Sequence, residues 1–431
     1  MSMDKLLPNV KSTVLNNGVT VITSAIDSAQ SVSFGIFVGN GGRYERMREL
    51  GVSHFIEHML FKGTPRRSSA EISRAIEGRG GYLNAFTGPD DTCYYARMPY
   101  ECMKLAVEVF CDMYRNSLFD PEELDRERQV ILEEIKMYDD QPSSVVQENF
   151  EKALFVDHPL GMPLSGDEKS LGGMTSETLK DYMKSHYVPA NTVLVFSGRL
   201  NHDACVAEAE KWMGDMPKHR PPVFRPVDGR VKQNPLVVER REVAQVQMVL
   251  GSRIFGRHDD RRYALRLLNA ILGENMSSRL FQSVRERRGL CYSIQTSPLH
   301  LEETGIFTIS MGTDSNRAVT ALKLVAKELR RIAAKPVSAS ELKRAKDFAS
   351  GIYRMGFEAP LSQVLYLGEG YLSYGRIMNP EQYLDHVMKV TAEDIMRVAD
   401  EILEPTRMTL SLVVPKSQPE SDECWLQALQ E

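Results

Sequence analysis

Gly51-Val52-Ser53-His54-Phe55-Ile56-Glu57-His58-Met59-Leu60-Phe61 reads as a helix. His54 and His58 stand four apart, so both imidazoles leave one face of it. Two nitrogen donors on one face are what a tetrahedral zinc site asks of a helix. Glu57 is beside both on the helical wheel. From there it can take a proton from a metal-bound water without binding the metal itself. Three fixed positions in five also describe an ordinary histidine pair on a helix surface, so the pattern needs a third ligand before it means zinc.

Such a ligand is offered by Glu127-Arg128-Gln129-Val130-Ile131-Leu132-Glu133-Glu134. Glu127 and Glu134 are two helical turns apart and share a face. Ile131 and Leu132 could bury part of this helix beside the first. A solvated acidic helix is the plainer reading of such a run. The residues alone leave the choice between the two glutamates open.

Further out, apolar runs at Thr20 to Thr23, Ser31 to Val38 and Cys93 to Met98 read as strands. Helical patterns cover Ser69 to Glu77, Met103 to Asn116 and Pro121 to Tyr138, the last with Asp120 as N-cap and Pro121 in its first position. A proline-rich stretch cuts the chain almost in half and predicts a domain at 1–216, a linker at 217–235 and a second domain at 236–431. The halves look like distant copies. Glu123-Leu124-Asp125-Arg126 is echoed by Glu341-Leu342-Lys343-Arg344, 218 residues on. Thr175-Ser176-Glu177-Thr178-Leu179 is echoed by Thr391-Ala392-Glu393-Asp394-Ile395, 216 residues on, and each of these leads into an apolar run. The expected class is α+β: two similar domains, each a mainly antiparallel sheet with helices on one face. Gly39-Asn40-Gly41-Gly42 reads as a turn, not a phosphate loop.

Length and composition bound the function. A chain of 431 residues exceeds one ordinary core. Its net charge of −5 gives no reason to expect nucleic acid or an anionic membrane as partner. No run of 18 apolar residues predicts a membrane span. The first residues, Met1-Ser2-Met3-Asp4-Lys5, have no apolar signal core, so the expected location is cytoplasmic, or the mitochondrial matrix if a presequence has been removed. Six scattered cysteines without a CxxC pair suggest free thiols in a reducing compartment.

With these residues in place, the sequence resembles the pitrilysin/insulinase-type metallopeptidases over about Leu15 to Pro415. Among them it is most similar to the half-length members of the mitochondrial processing peptidase β type and their bacterial relatives. The inverted motif His54-x-x-Glu57-His58 is followed by a matching Met59-Leu60-Phe61-Lys62-Gly63-Thr64. The resemblance implies one Zn2+ per chain held by His54, His58 and Glu134, with Glu57 as general base. It assigns Glu127 to orienting His58 or its own helix by hydrogen bonding. Asn84-Ala85-Phe86 looks like the edge strand that holds peptide by strand addition. Arg285 and Tyr292, seven apart in Arg285-Glu286-Arg287-Arg288-Gly289-Leu290-Cys291-Tyr292, match a segment that reaches the substrate from the second half.

The implied activity is zinc-dependent endoproteolysis of extended or unfolded peptides. The implied partner is a second copy in a homodimer, or an inactive paralogue in a heterodimer. A noncatalytic scaffold or partner subunit is the alternative. It fits less well because the full zinc set is kept and no glycine-rich loop of the noncatalytic type is present. The second half has no HxxEH, and Ile352 stands opposite Glu134.

Overall fold

The computed structural model describes residues 6–7, 9–228 and 234–430. Part of the expected linker, 229–233, thus lies outside the described residues, and 217–228 form neither helix nor strand. The chain folds into two α+β units. One gathers residues 1–135, 163–225 and 353–381, the other 136–162, 226–352 and 382–431.

In the first unit Val10–Val14 (β1), Thr20–Ala25 (β2), Ser31–Val38 (β3), Tyr82–Thr87 (β4), Thr92–Pro99 (β5) and Thr192–Gly198 (β6) form one sheet. Its order is β1-β2-β6-β3-β5-β4. Every neighbouring pair is antiparallel except β2 with β6. Strand alternation divides its side chains cleanly. Val32, Phe34, Ile36 and Val38 join the core built with Val52–Leu60 (α1), Ser69–Glu77 (α2), Met103–Asn116 (α3) and Pro121–Asp139 (α4). Phe37, Ile22, Cys93, Val193 and Val195 face the other way. The N-terminus of α4 is capped as its sequence predicts: Asp120 Oδ1 accepts the N–H groups of Glu122 (2.9 Å) and Glu123 (3.2 Å).

Four more helices lie in the first half of the chain: Pro142–Leu154 (α5), Glu168–Gly172 (α6), Ser176–His186 (α7) and His202–Met213 (α8). The second unit's strands are Leu236–Arg241 (β7), Gln245–Phe255 (β8), Cys291–His300 (β9), Thr304–Asp314 (β10) and Thr409–Pro415 (β11). They are ordered β7-β11-β8-β10-β9, with β11 and β7 parallel. Arg261–Leu272 (α9), Ala318–Ala334 (α10) and Ala339–Met355 (α11) precede Pro360–Tyr374 (α12), Pro380–Lys389 (α13), Ala392–Ile402 (α14) and Asp422–Gln430 (α15).

The boundaries differ from the expected cut at 217–235. Residues 136–162 with α5 belong to the second unit, and 353–381 with α12 to the first. The reason is that each sheet is apolar on both faces. Several helices cover one face, and one helix from the opposite half of the chain covers the other. In the second unit, Val145, Val146, Phe150 and Leu154 of α5 bury Val249, Ile306 and Val413. In the first, Val364 and Leu367 of α12 bury Phe37 and its neighbours. Fully burying one such side chain contributes about 1.5–3 kcal/mol. The α12 helix approaches so closely that a Cβ at Gly368 would lie 2.3 Å from the Phe37 ring. Gln363 fastens it: its Oε1 accepts Ser24 Oγ (2.7 Å) and Ser197 Oγ (2.9 Å), and its Nε2 donates to the Phe357 carbonyl (2.7 Å).

All six cysteines are free thiols. Among the described residues no helix is long and apolar enough to cross a membrane.

Candidate metal centre

The α1 helix is held in place from its first turn. Gly51 precedes it at φ 85, where a Cβ would also meet the Ser165 carbonyl oxygen at 2.5 Å, so the entry requires glycine. The first N–H groups of a helix have no intrahelical acceptor. Here buried Glu45 takes them, from Gly51 (2.7 Å) and Ser53 (2.8 Å). Burial pushes the Glu45 carboxyl up to about 8 in spite of those hydrogen bonds. Phe55, Ile56, Met59 and Leu60 sink into the core, and His54, Glu57 and His58 occupy the half-buried side of the helix.

Opposite runs α4. Leu124, Glu127 and Ile131 are its buried stripe, and Glu134 continues that face. Glu134 Oε2 lies 3.8 Å from His54 Nε2 and 3.7 Å from His58 Nε2. The three donor atoms fall within 4.8 Å of one another. Two ligands each 2.0–2.2 Å from a tetrahedral zinc ion are about 3.4 Å apart, so one ion fits this cluster with little movement. Glu133 is exposed on the other side of the helix and is not part of the group.

The protonation pattern agrees. His58 Nδ1 lies 3.1 Å from Glu127 Oε2, an acceptor, which puts the proton on Nδ1 and leaves the Nε2 lone pair facing Glu134. Lys62 Nζ pairs with the other Glu127 oxygen at 2.5 Å. Burial alone would raise the Glu127 carboxyl, but the hydrogen bonds from His58 and Lys62 outweigh it and hold the group below its ordinary range. His54 is pushed down to about 4 by burial, with neighbouring His58 adding to the effect. A neutral imidazole is the form that binds metal. Three electron-rich atoms therefore converge on one point, an arrangement that favours a cation there. His54 Nδ1 is buried without a partner among the described residues.

Glu57 stands beside this cluster. Thr87 Oγ1 donates to its Oε2 at 2.5 Å. Burial raises the Glu57 carboxyl, opposed by that hydrogen bond and by His58, and Glu134 raises it further. Thr87 ends β4, which pairs with β5 on one side and forms the edge of the sheet. Asn84, Ala85 and Phe86 are therefore on an edge strand, and Asn84 Oδ1 accepts the Ala85 N–H at 2.8 Å. Arg285 and Tyr292 lie in the second unit, on the helical turn Phe281–Glu286 and at the start of β9. The Arg285 guanidinium is 4.7 Å from the Phe281 ring centre and 5.6 Å from that of Tyr292, whose residue is 79% exposed.

Sequence reasoning misses Glu45, whose partners are backbone N–H groups, and the Lys62 and Thr87 contacts. Glu45 stands nine residues before His54, and an acidic residue just ahead of a metal helix is a signal that could have flagged it.

A half-buried His-His-Glu group flanked by a carboxylate defines a zinc-peptidase-like centre on this fold. Residues 20–168 match the model of the insulinase family, peptidase family M16, and residues 173–348 match the model described as the peptidase M16 inactive domain. The chain belongs to peptidase family M16. It is 33% identical over 412 residues to an uncharacterized zinc protease of Streptomyces coelicolor, covering 94% of this chain and 90% of that one. It is 31% identical over 407 residues to the uncharacterized zinc protease YmxG of Bacillus subtilis, covering 94% and 98%. Among solved structures, a protease from Helicobacter pylori superposes with a TM-score of 0.88 at 21% identity, over 95% of this chain and all (100%) of that one. A peptidase M16 inactive domain from Pseudomonas fluorescens gives 0.88 at 20% identity, over 96% and 99%. These two likenesses establish the fold.

Proposed function

We propose that the chain is a zinc metalloendopeptidase acting on extended or unfolded peptides. The observation that carries this reading is the convergence of His54, His58 and Glu134 on one point with Glu57 alongside. The names of the relatives, zinc proteases, support it. When bound, zinc supplies a Lewis acid that polarises the scissile carbonyl and acidifies the attacking water.

The chain's own residues supply the proton traffic. Thr87 holds one Glu57 oxygen, which leaves Oε1 to take the proton from water. A carboxylate lifted by burial is a stronger base than a free one, and once protonated it can deliver that proton to the leaving amine. Glu127 holds His58 in the tautomer that presents Nε2. The free edge of β4 suits a peptide added as a further strand through main-chain bonds. Arg285 and Tyr292 are proposed to bind substrate from the second unit, on the family resemblance. Assembly as a homodimer, or with an inactive paralogue, is part of the same proposal, and light scattering on active protein tests it.

The decisive experiment compares wild type with Glu57→Gln on a fluorogenic unstructured peptide, with zinc measured in both. Hydrolysis is expected to fall by roughly 10²–10⁴-fold while one zinc per chain stays bound. Near-normal turnover in the variant would sink the assignment.

A further inference from the structure

The first unit contains a cavity of about 430 Å³ between the end of α3, the connection into α4, the α7 helix and the residues after α8. None of the metal-centre residues lines it. Tyr114, Phe119, Met183, Tyr187, Val188 and Pro189 form its apolar walls. Arg115, Lys180 and Lys184, all exposed, stand around it. Among the described residues lining it none is acidic. Arg115 is balanced by Asp215 at 2.7 Å. Lys180 and Lys184, one turn apart on α7, present two ammonium groups on one side.

Two lysine ammonium groups beside an aromatic-walled cavity of this size select its ligand: a small anion carrying a flat apolar body. A second feature marks the site. Phe119 is buried in its wall with φ 48, a conformation that bulky residues rarely adopt and that concentrates where function over-determines the backbone. The strained segment is tied to the metal helix, since Ser117 Oγ donates to the Met59 carbonyl (3.1 Å) and the Leu118 N–H to that of Gly63 (3.0 Å). It then runs directly into α4, which bears Glu127 and Glu134. Tyr187 closes the back wall and is 3.1 Å, oxygen to oxygen, from Tyr94.

We propose that this cavity binds a small aromatic anion, an aryl phosphate or aryl carboxylate, with its ring against the apolar walls and its charge on Lys180 and Lys184. The proposal is independent of the peptidase reading, because its test reads binding and not turnover. Phenyl phosphate is titrated calorimetrically into the zinc-loaded full-length protein, alongside phenol and inorganic phosphate. Saturable binding at one site is expected, at least tenfold tighter than either control compound. It should weaken at least tenfold in Lys180→Ala/Lys184→Ala, whose exposed positions leave the fold and the metal ligands intact. Equal binding by parent and double variant would place the anion on the zinc or elsewhere and overturn the proposal. Binding no tighter than that of inorganic phosphate, or no saturation, would overturn it as well.

Discussion

Between β3 and β4 the first unit inserts α1, with His54, Glu57 and His58; at the same place between β8 and β9 the second unit has α9, whose Leu265, Leu267, Leu268, Ile271 and Leu272 are buried. Apart from β1, the sheets match strand for strand: β2-β6-β3-β5-β4 against β7-β11-β8-β10-β9, each with its first pair parallel. The helices before β6 and β11 start with one device, a threonine that caps the N–H three residues on, Thr175 to Thr178 and Thr391 to Asp394. Where α4 carries Glu134, α11 carries exposed Ile352. One scaffold thus serves two ends, and a few side chains on two helices separate the metal centre from its counterpart.

The comparison can be broken most severely at the third ligand. Glu134→Gln removes an anionic donor, and zinc affinity should fall by more than about a hundredfold, beyond what loss of an orienting partner costs. Ile352→Glu, its mirror in the second unit, should leave the content at one zinc per chain. Metal analysis after exhaustive dialysis checks both. A second zinc in Ile352→Glu, or full zinc in Glu134→Gln, would show that the asymmetry has been placed wrongly. A smaller loss is expected in Glu127→Gln, whose acceptor oxygen fixes the His58 tautomer: about 10–100-fold in zinc affinity by competition with a chromophoric chelator.

The exchanged helices allow a sharper test within a single element. Gly368 and Gly370 are two residues apart on α12. A Cβ at Gly368 would strike the Phe37 ring, whereas one at Gly370 meets nothing within 4 Å. Gly368→Ala should destabilise by about 1–3 kcal/mol through overpacking, and Gly370→Ala should stabilise by up to about 1 kcal/mol through helix propensity. Unfolding midpoints that move in the same direction would refute this account of how α12 is seated.

The last expected effect is a slope. Burial raises the Glu45 carboxyl from 4.5 to about 8, so between those values the folded chain keeps a proton that the unfolded chain has released. The stability Glu45 contributes is complete below 4.5 and is lost as pH rises through about 8. Glu45→Gln cannot titrate, and its denaturation midpoint should decline less than that of wild type across this window. Parallel profiles for the two proteins would remove Glu45 as the titrating group.

What the sequence by itself determined is local or repeated. Helical periodicity places His54 and His58 on one face, Glu127 and Glu134 on another, and Asp120 at a cap, because 3.6 residues per turn fixes neighbours over one or two turns without reference to the rest of the chain. The duplication was legible for a related reason: threonine caps and helix starts recur at nearly constant offset. Choosing Glu134 over Glu127 needed the family resemblance, since both share the face, and the structure separates them by putting Glu127 against His58 Nδ1 and Glu134 against both Nε2 atoms. Only the tertiary structure decided which half each covering helix serves. In sequence α5 and α12 are two more helical patterns, each inside its own half. Their assignment depends on apolar sheet faces formed by residues up to several hundred positions away, Phe37 with Val364 and Phe150 with Val413. The same holds for the clamp of Glu45 on α1, because an acceptor of backbone N–H groups leaves no complementary side chain in the sequence to reveal it.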